Sequence, residues 1–168
     1  MSAYYENSSS TTEVEDYTGY YHWAPAITIG EAGNVTKLEV WTRAASGNIR
    51  MGLYNAATRQ RLDSGTNEVA MQNGGWSSVT LGTPVAVTAA QSVFVAFQYS
   101  ATALFYEVTH EADGYYESND YADFPVATLS EWAGEGTSYR VRVYVEAGGG
   151  VTISLLFKPN IYSHILVR

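Results

Sequence analysis

Residues 139–146 alternate without a fault, with Val141, Val143 and Val145 on one side and Arg140, Arg142, Tyr144 and Glu146 on the other. A period of two puts successive side chains on opposite faces of an extended chain, so this stretch predicts a strand with one face in a core. Residues 92–99 make a stronger demand. Val93, Val95, Phe97 and Tyr99 form one apolar face, while Phe94 and Ala96 form the other. A strand apolar on both sides belongs in the middle of a sheet that is covered twice. No sustained stripe with the 3.6-residue helical period accompanies these strands.

The rest of the chain continues the pattern. Residues 17–23 and 26–29 read as strands separated by Pro25, which cannot donate to a central ladder. Residues 35–43 place Leu38 and Val40 on one side and Lys37, Glu39, Trp41 and Arg43 on the other. A turn at 46–48 leads into 49–54, with Ile49, Met51 and Leu53 inward, and the two strands are expected to pair as a hairpin. Residues 76–81 form a further strand with Val79 and Leu81 on its apolar face. With 14 Tyr, 15 Gly and many Val and Thr, the residue types suit pleated strands joined by tight turns. The expected class is all-β, a β-sandwich or jelly roll; long excursions between some strands favour the jelly roll, because Greek-key connections need them. A length of 168 residues suits one core.

Three parts are expected: a polar, Ser/Thr-rich arm at 1–16, the sandwich at 17–147, and a tail at 148–168. The arm is expected to lie on a neighbouring subunit. The tail follows Gly148, Gly149 and Gly150 and reads as an apolar hairpin, residues 151–157 and 161–167 about Lys158-Pro159-Asn160. An isolated hairpin is barely stable in water, so it either completes the sandwich or adds strands to another subunit.

Three passages resemble a known pattern: residues 35–43, then IRMGLYNAATRQRLDSG at 49–65, then NGGWSSVTLGTPVAVTAAQSVFVAFQYS at 73–100. Together they are similar to jelly-roll modules of phage virion proteins and bacterial surface proteins, which are themselves similar in fold to carbohydrate-binding modules. The resemblance spans residues 35–100. Its motifs are strand and turn residues, and it implies a fold and a non-enzymatic role without carrying over any binding residue.

Charge singles out a different stretch. The chain holds 17 acids and 9 bases, and eight of the acids (Glu107, Glu111, Asp113, Glu117, Asp120, Asp123, Glu131, Glu135) fall within residues 107–136 with no Lys or Arg among them. The net charge of −8 therefore sits in one segment, which the sequence suggests is a long acidic loop between strands. An acidic chain excludes a nucleic-acid partner, since polyanion binding depends on Lys and Arg. Asp113, Glu117, Asp120 and Asp123 recur every three to four residues and are candidate Ca²⁺ ligands, although no EF-hand loop is present. Paired carboxylates can also act on glycosides, but nothing in the chain marks one pair out. With no Cys, thiolate chemistry is excluded. His22, His110 and His164 lack zinc-site spacing, and no nucleophile-elbow sequence occurs.

Aromatic residues are the remaining candidates. Trp23, Trp41, Trp76, Trp132 and Tyr54 are candidate stacking rings for a sugar, with Trp41 first because it shares a polar strand face with Lys37 and Arg43. Tyr115, Tyr116 and Tyr121 offer contact area for a ligand or a partner. No signal peptide and no membrane-spanning run are read from the sequence. The expectation is a non-enzymatic structural protein of a larger assembly, made in a host cytoplasm and placed on a virion surface as a capsid decoration or appendage protein. Its partners would be other subunits, either copies of itself or capsid proteins. The alternative is a carbohydrate-binding module acting through exposed aromatics, extracellular as part of a larger protein.

Overall fold

The computed structural model describes residues 2–6, 12–16, 19–23, 26–44, 46–101, 103–130 and 134–148. In chain order the strands are β1 (Ser2–Glu6), β2 (Thr12–Asp16), β3 (Tyr20–Trp23), β4 (Ile27–Thr28), β5 (Gly33–Ala44) and β6 (Asn48–Asn55). They continue with β7 (Glu68–Ala70), β8 (Gly75–Val87), β9 (Ser92–Tyr99), β10 (Ala103–Ser118), β11 (Gly134–Tyr139) and β12 (Val141–Ala147). A single 3-10 turn, Tyr121–Asp123, follows β10. Every pairing is antiparallel.

The strands form two layers. The first runs β1–β12–β5–β8, and the second runs β3–β9–β6–β7 with β4 also on β9. β10 joins them: Leu104 and Phe105 pair with the end of β5, and residues 115–118 pair with β3. β2 and β11 both pair with β10.

Between the layers lies one apolar core. Val35, Leu38 and Val40 of β5, Val79 and Leu81 of β8, and Val141, Val143 and Val145 of β12 meet Ile49, Met51 and Leu53 of β6 and Val93, Val95, Phe97 and Tyr99 of β9. These are the inward residues that the alternation predicts. One offset is instructive. Val35 and Leu38 are both buried although three apart, because the register against β12 skips Thr36. Such a bulge places one extra residue on the outer face and bends the strand.

The expected hairpin of residues 35–43 and 49–54 is not what forms. β5 pairs with β8, β10 and β12, while β6 pairs with β7 and β9. The turn between them carries the chain across the sandwich, and Gly47 adopts φ +88°, where a side chain is strained. Both strands present their apolar faces to one core from opposite sides, so pairing side by side is not needed.

Nor is the acidic stretch one long loop. β10 continues as strand to Ser118, and β11 begins at Gly134. In the sequence Glu107, Glu111, Asp113 and Glu117 all fall on one parity, so the acids recur at strand spacing. The N-terminal residues are also strand: β1 pairs with β12 of its own chain and β2 with β10, which removes the ground for placing them on a neighbour by default. The expected tail hairpin lies outside the described residues. No helix among the described residues is long and apolar enough to cross a membrane.

Candidate functional site

The outer face of the first layer is covered by its own side chains. Glu39 of β5 points away from the core, yet it is only 2% exposed. Its carboxylate accepts hydrogen bonds from Ser78 and Arg142, and Lys37 Nζ lies 3.0 Å away. Burial pushes the Glu39 pKa up, but the bonds from Ser78, Arg142 and Lys37 outweigh it and hold the carboxyl below its usual range. Above this charge lies a lattice of cations and rings. The Arg142 guanidinium sits 3.8 Å from the Trp76 ring centre and 5.3 Å from that of Tyr4. Arg140 is 5.1 Å from both Trp41 and Trp76, which meet edge to face at 5.2 Å. Lys37 Nζ lies 3.5 Å above Tyr144, and Arg140 pairs with Glu6.

Each cation thus has both a carboxylate and a ring. Contacts of this kind contribute about 0.5–2 kcal/mol each, according to how well they are shielded from water. Beside the lattice is a hollow of about 330 Å³ lined by Ser2, Thr36, Lys37, Thr80, Tyr144 and Glu146. Thr36, the bulged residue, donates to Glu146 across its floor at 3.5 Å.

The outer face of the second layer is closed differently. Residues 119–130 fold over it and seat Phe124 and Leu129 against Tyr21, Trp23, Tyr54 and Ala96. Tyr21 stacks on Trp23 at 5.7 Å and on Phe124 at 5.5 Å. Arg50 of β6 clamps this cover: one of its terminal nitrogens donates to the carbonyls of Tyr121, Ala122 and Phe124 at 2.7, 2.9 and 3.2 Å. Its Nε pairs with Glu68 at 2.7 Å. The hydrogen bond from Arg50 outweighs the small effect of burial and holds the Glu68 carboxyl below its usual range. At the other end of the cover, Glu117 accepts from the hydroxyls of Tyr21 and Ser130. Burial, aided by Glu117, pushes the Tyr21 pKa up to about 12.

The expected site residues fall in different places. Trp41 lies on the first face as a half-buried ring beneath Arg140 and against Trp76. Tyr54 is fully buried beneath the cover, with its hydroxyl donating to the Val126 carbonyl at 2.9 Å, so it is no exposed stacking ring. The correction has a simple cause: residues 119–130 return over the outward side of β6, where Tyr54 lies. Tyr116 packs against Tyr20 and His22, and Tyr121 lies under Arg50 at 4.5 Å. Tyr115 and Asp113 lie on β10, their side chains outside the described residues, as is Trp132.

The four candidate calcium ligands are not assembled by what is described. Glu117 is engaged by Tyr21 and Ser130, while Asp120 and Asp123 are exposed around the 3-10 turn. Among the described residues no three acidic or imidazole groups converge as a metal site. His22 is buried, its two ring nitrogens meeting the hydroxyls of Tyr99 and Tyr139 at 3.3 and 3.1 Å.

Trp23 is buried under the cover of the second face and is no stacking ring. Glu39, Lys37, Arg140, Arg142 and Tyr144 join the expected rings Trp41 and Trp76 on the first face, and none of these five is a candidate in the sequence. Their outward parity on residues 35–43 and 139–146 was the available signal. The pairing of two strands a hundred residues apart was not. Comparison with protein-family models gives no match, and comparison with curated proteins gives none either.

Proposed function

We propose that this chain is a non-catalytic β-sandwich of the jelly-roll type that docks into a larger protein assembly, as a decoration or appendage protein on a virion surface. The observation that carries this reading is where large apolar surface remains open. Among the described residues the exposed large hydrophobics are Tyr4 at 57% and Tyr20 at 39%, on β1 and β3. Both sheet faces are otherwise dressed, one by the cation–aromatic lattice and the other by residues 119–130. Tyrosine gives large contact area at low entropic cost and is enriched at interfaces. The apolar sequence of residues 151–167 supplies a second docking element. The virion setting follows from the resemblance of residues 35–100 to virion jelly-roll modules.

The test is the solution mass of the whole chain beside a chain ending at Gly148. Loss of assembly on truncation is expected, and unchanged assembly of the shortened chain overturns the role of the tail.

The hollow on the first face supports a second reading, carbohydrate binding. Hydroxyls from Ser2, Thr36 and Thr80, a cation and a carboxylate surround the Tyr144 ring. That set can bond sugar hydroxyls while the ring covers an apolar sugar face, once Lys37 swings aside. Under this reading a glycan array gives signals that Tyr144→Ala abolishes. A blank array removes it.

A further inference from the structure

We propose that the groove between the edge of β12 and Gly30 accepts β1 from a second copy of this chain, so that copies exchange their first strands. The proposal rests on the assembly reading above and gives it a geometry.

Among the described residues β1 pairs with β12 and with no other strand, from Ser2↔Glu146 to Glu6↔Arg142. The strand next in sequence does not support it, since β2 pairs with β10. Not one residue of β1 is fully buried. A strand held along one edge with so little burial opens at low cost.

The groove is nonetheless built to read that strand. Tyr5 turns inward onto Gly30, where an added Cβ would lie 3.0 Å from the ring and 3.1 Å from its hydroxyl. The Gly30 backbone is outside the left-handed region, so it is the ring of Tyr5 that requires the missing side chain. The Tyr5 hydroxyl accepts a hydrogen bond from the Glu31 amide at 3.1 Å. On the opposite side of the strand Tyr4 lies 6.0 Å from Tyr144 and beneath Arg142, and Glu6 pairs with Arg140. Backbone pairing supplies affinity and alternate side chains supply selectivity, as in strand addition generally. Every one of these contacts is made to residues 140–146 or to residues 30–31, so a second copy's β1 satisfies them equally well. Exchange then keeps every contact that holds β1 in its groove, and concentration decides between the two arrangements.

The chain has no cysteine, which allows a direct test. Ser2 and Glu146 lie opposite each other and both are exposed. Full-length chains carrying Ser2→Cys are mixed with size-tagged full-length chains carrying Glu146→Cys, oxidised mildly, and run on a non-reducing gel while light scattering reports the mass. A mixed disulfide dimer that increases with concentration, and that Gly30→Val removes, is expected. A chain carrying both substitutions reports the strand that stays at home, because its disulfide closes within one chain. If the sample is oligomeric but every disulfide closes within a chain, exchange is overturned and the assembly reading stands. If the sample is monomeric with only internal closure, exchange is overturned, and the assembly reading falls with it when the chain also binds no other protein of its native source. If neither arrangement yields a disulfide, the β1–β12 groove itself is overturned.

Discussion

Tyr21 and Glu39 act on the pH dependence of stability from opposite ends of the scale. Tyr21 keeps its proton up to about pH 12 in the folded chain, because burial and the neighbouring Glu117 carboxylate disfavour the phenolate. In the unfolded chain the phenol titrates near pH 10. The folded pKa is raised, so the contribution is whole below pH 10 and is lost as pH rises toward 12. Tyr121 is pushed up to about 12 as well, by burial and then by the nearby Glu68, and adds to the same window. Glu39 works in the other direction. Its folded pKa is depressed, so its contribution is whole above the ordinary carboxylate range and is lost as pH falls through the folded value. Urea midpoints measured against pH should therefore form a plateau that falls at both ends. Tyr21→Phe should flatten the alkaline limb and Glu39→Gln the acid limb; an alkaline limb unchanged by Tyr21→Phe contradicts the assignment.

At the scale of elements, the cover at 119–130 is the part whose stability depends most on one side chain. Arg50→Ala removes three donor bonds to carbonyls and the pair with Glu68. Hydrogen bonds to a charged group contribute more than neutral ones, and Arg50 is only partly buried, so the expected loss is about 2 kcal/mol. Amide exchange should quicken across residues 119–130 and leave β12 protected; uniform quickening would show that the cover is not a separate unit.

The same scale shows what was legible. β9, β12 and residues 76–81 of β8 could be read directly, because their alternation is unbroken and their inward residues are mostly Val, Leu and Phe, whereas the break at 82–84 hid that β8 runs on to Val87. The double burial of β9 was legible too, since Phe94 and Ala96 left no polar side. β10 was not, because its acids read as solvated loop although they recur at strand spacing. The pairing of residues 35–43 with 49–54 failed for another reason. A short turn between two strands is as compatible with crossing a sandwich as with a hairpin, and local sequence does not separate the two. Trp41 could be picked from its polar strand face, but its neighbours Trp76 and Arg140 are brought to it by strands distant in sequence. Tyr54 was misplaced as a surface ring because what buries it lies about seventy residues onward.

At the scale of the whole molecule, both faces of the sandwich are closed by the chain itself, and among the described residues the large rings that stay open lie on its N-terminal strands. A protein dressed on its faces and open along a strand is suited to association through edges. Among the described residues, the hollow beside Tyr144 draws toward a glycan instead. The most direct measurement is the mass of the intact chain in solution over a wide range of concentration, by sedimentation or light scattering. Assembly predicts a mass that rises to a defined multiple of 18.4 kDa. A chain that stays at 18.4 kDa at every concentration, alone and mixed with the proteins of its native source, contradicts it.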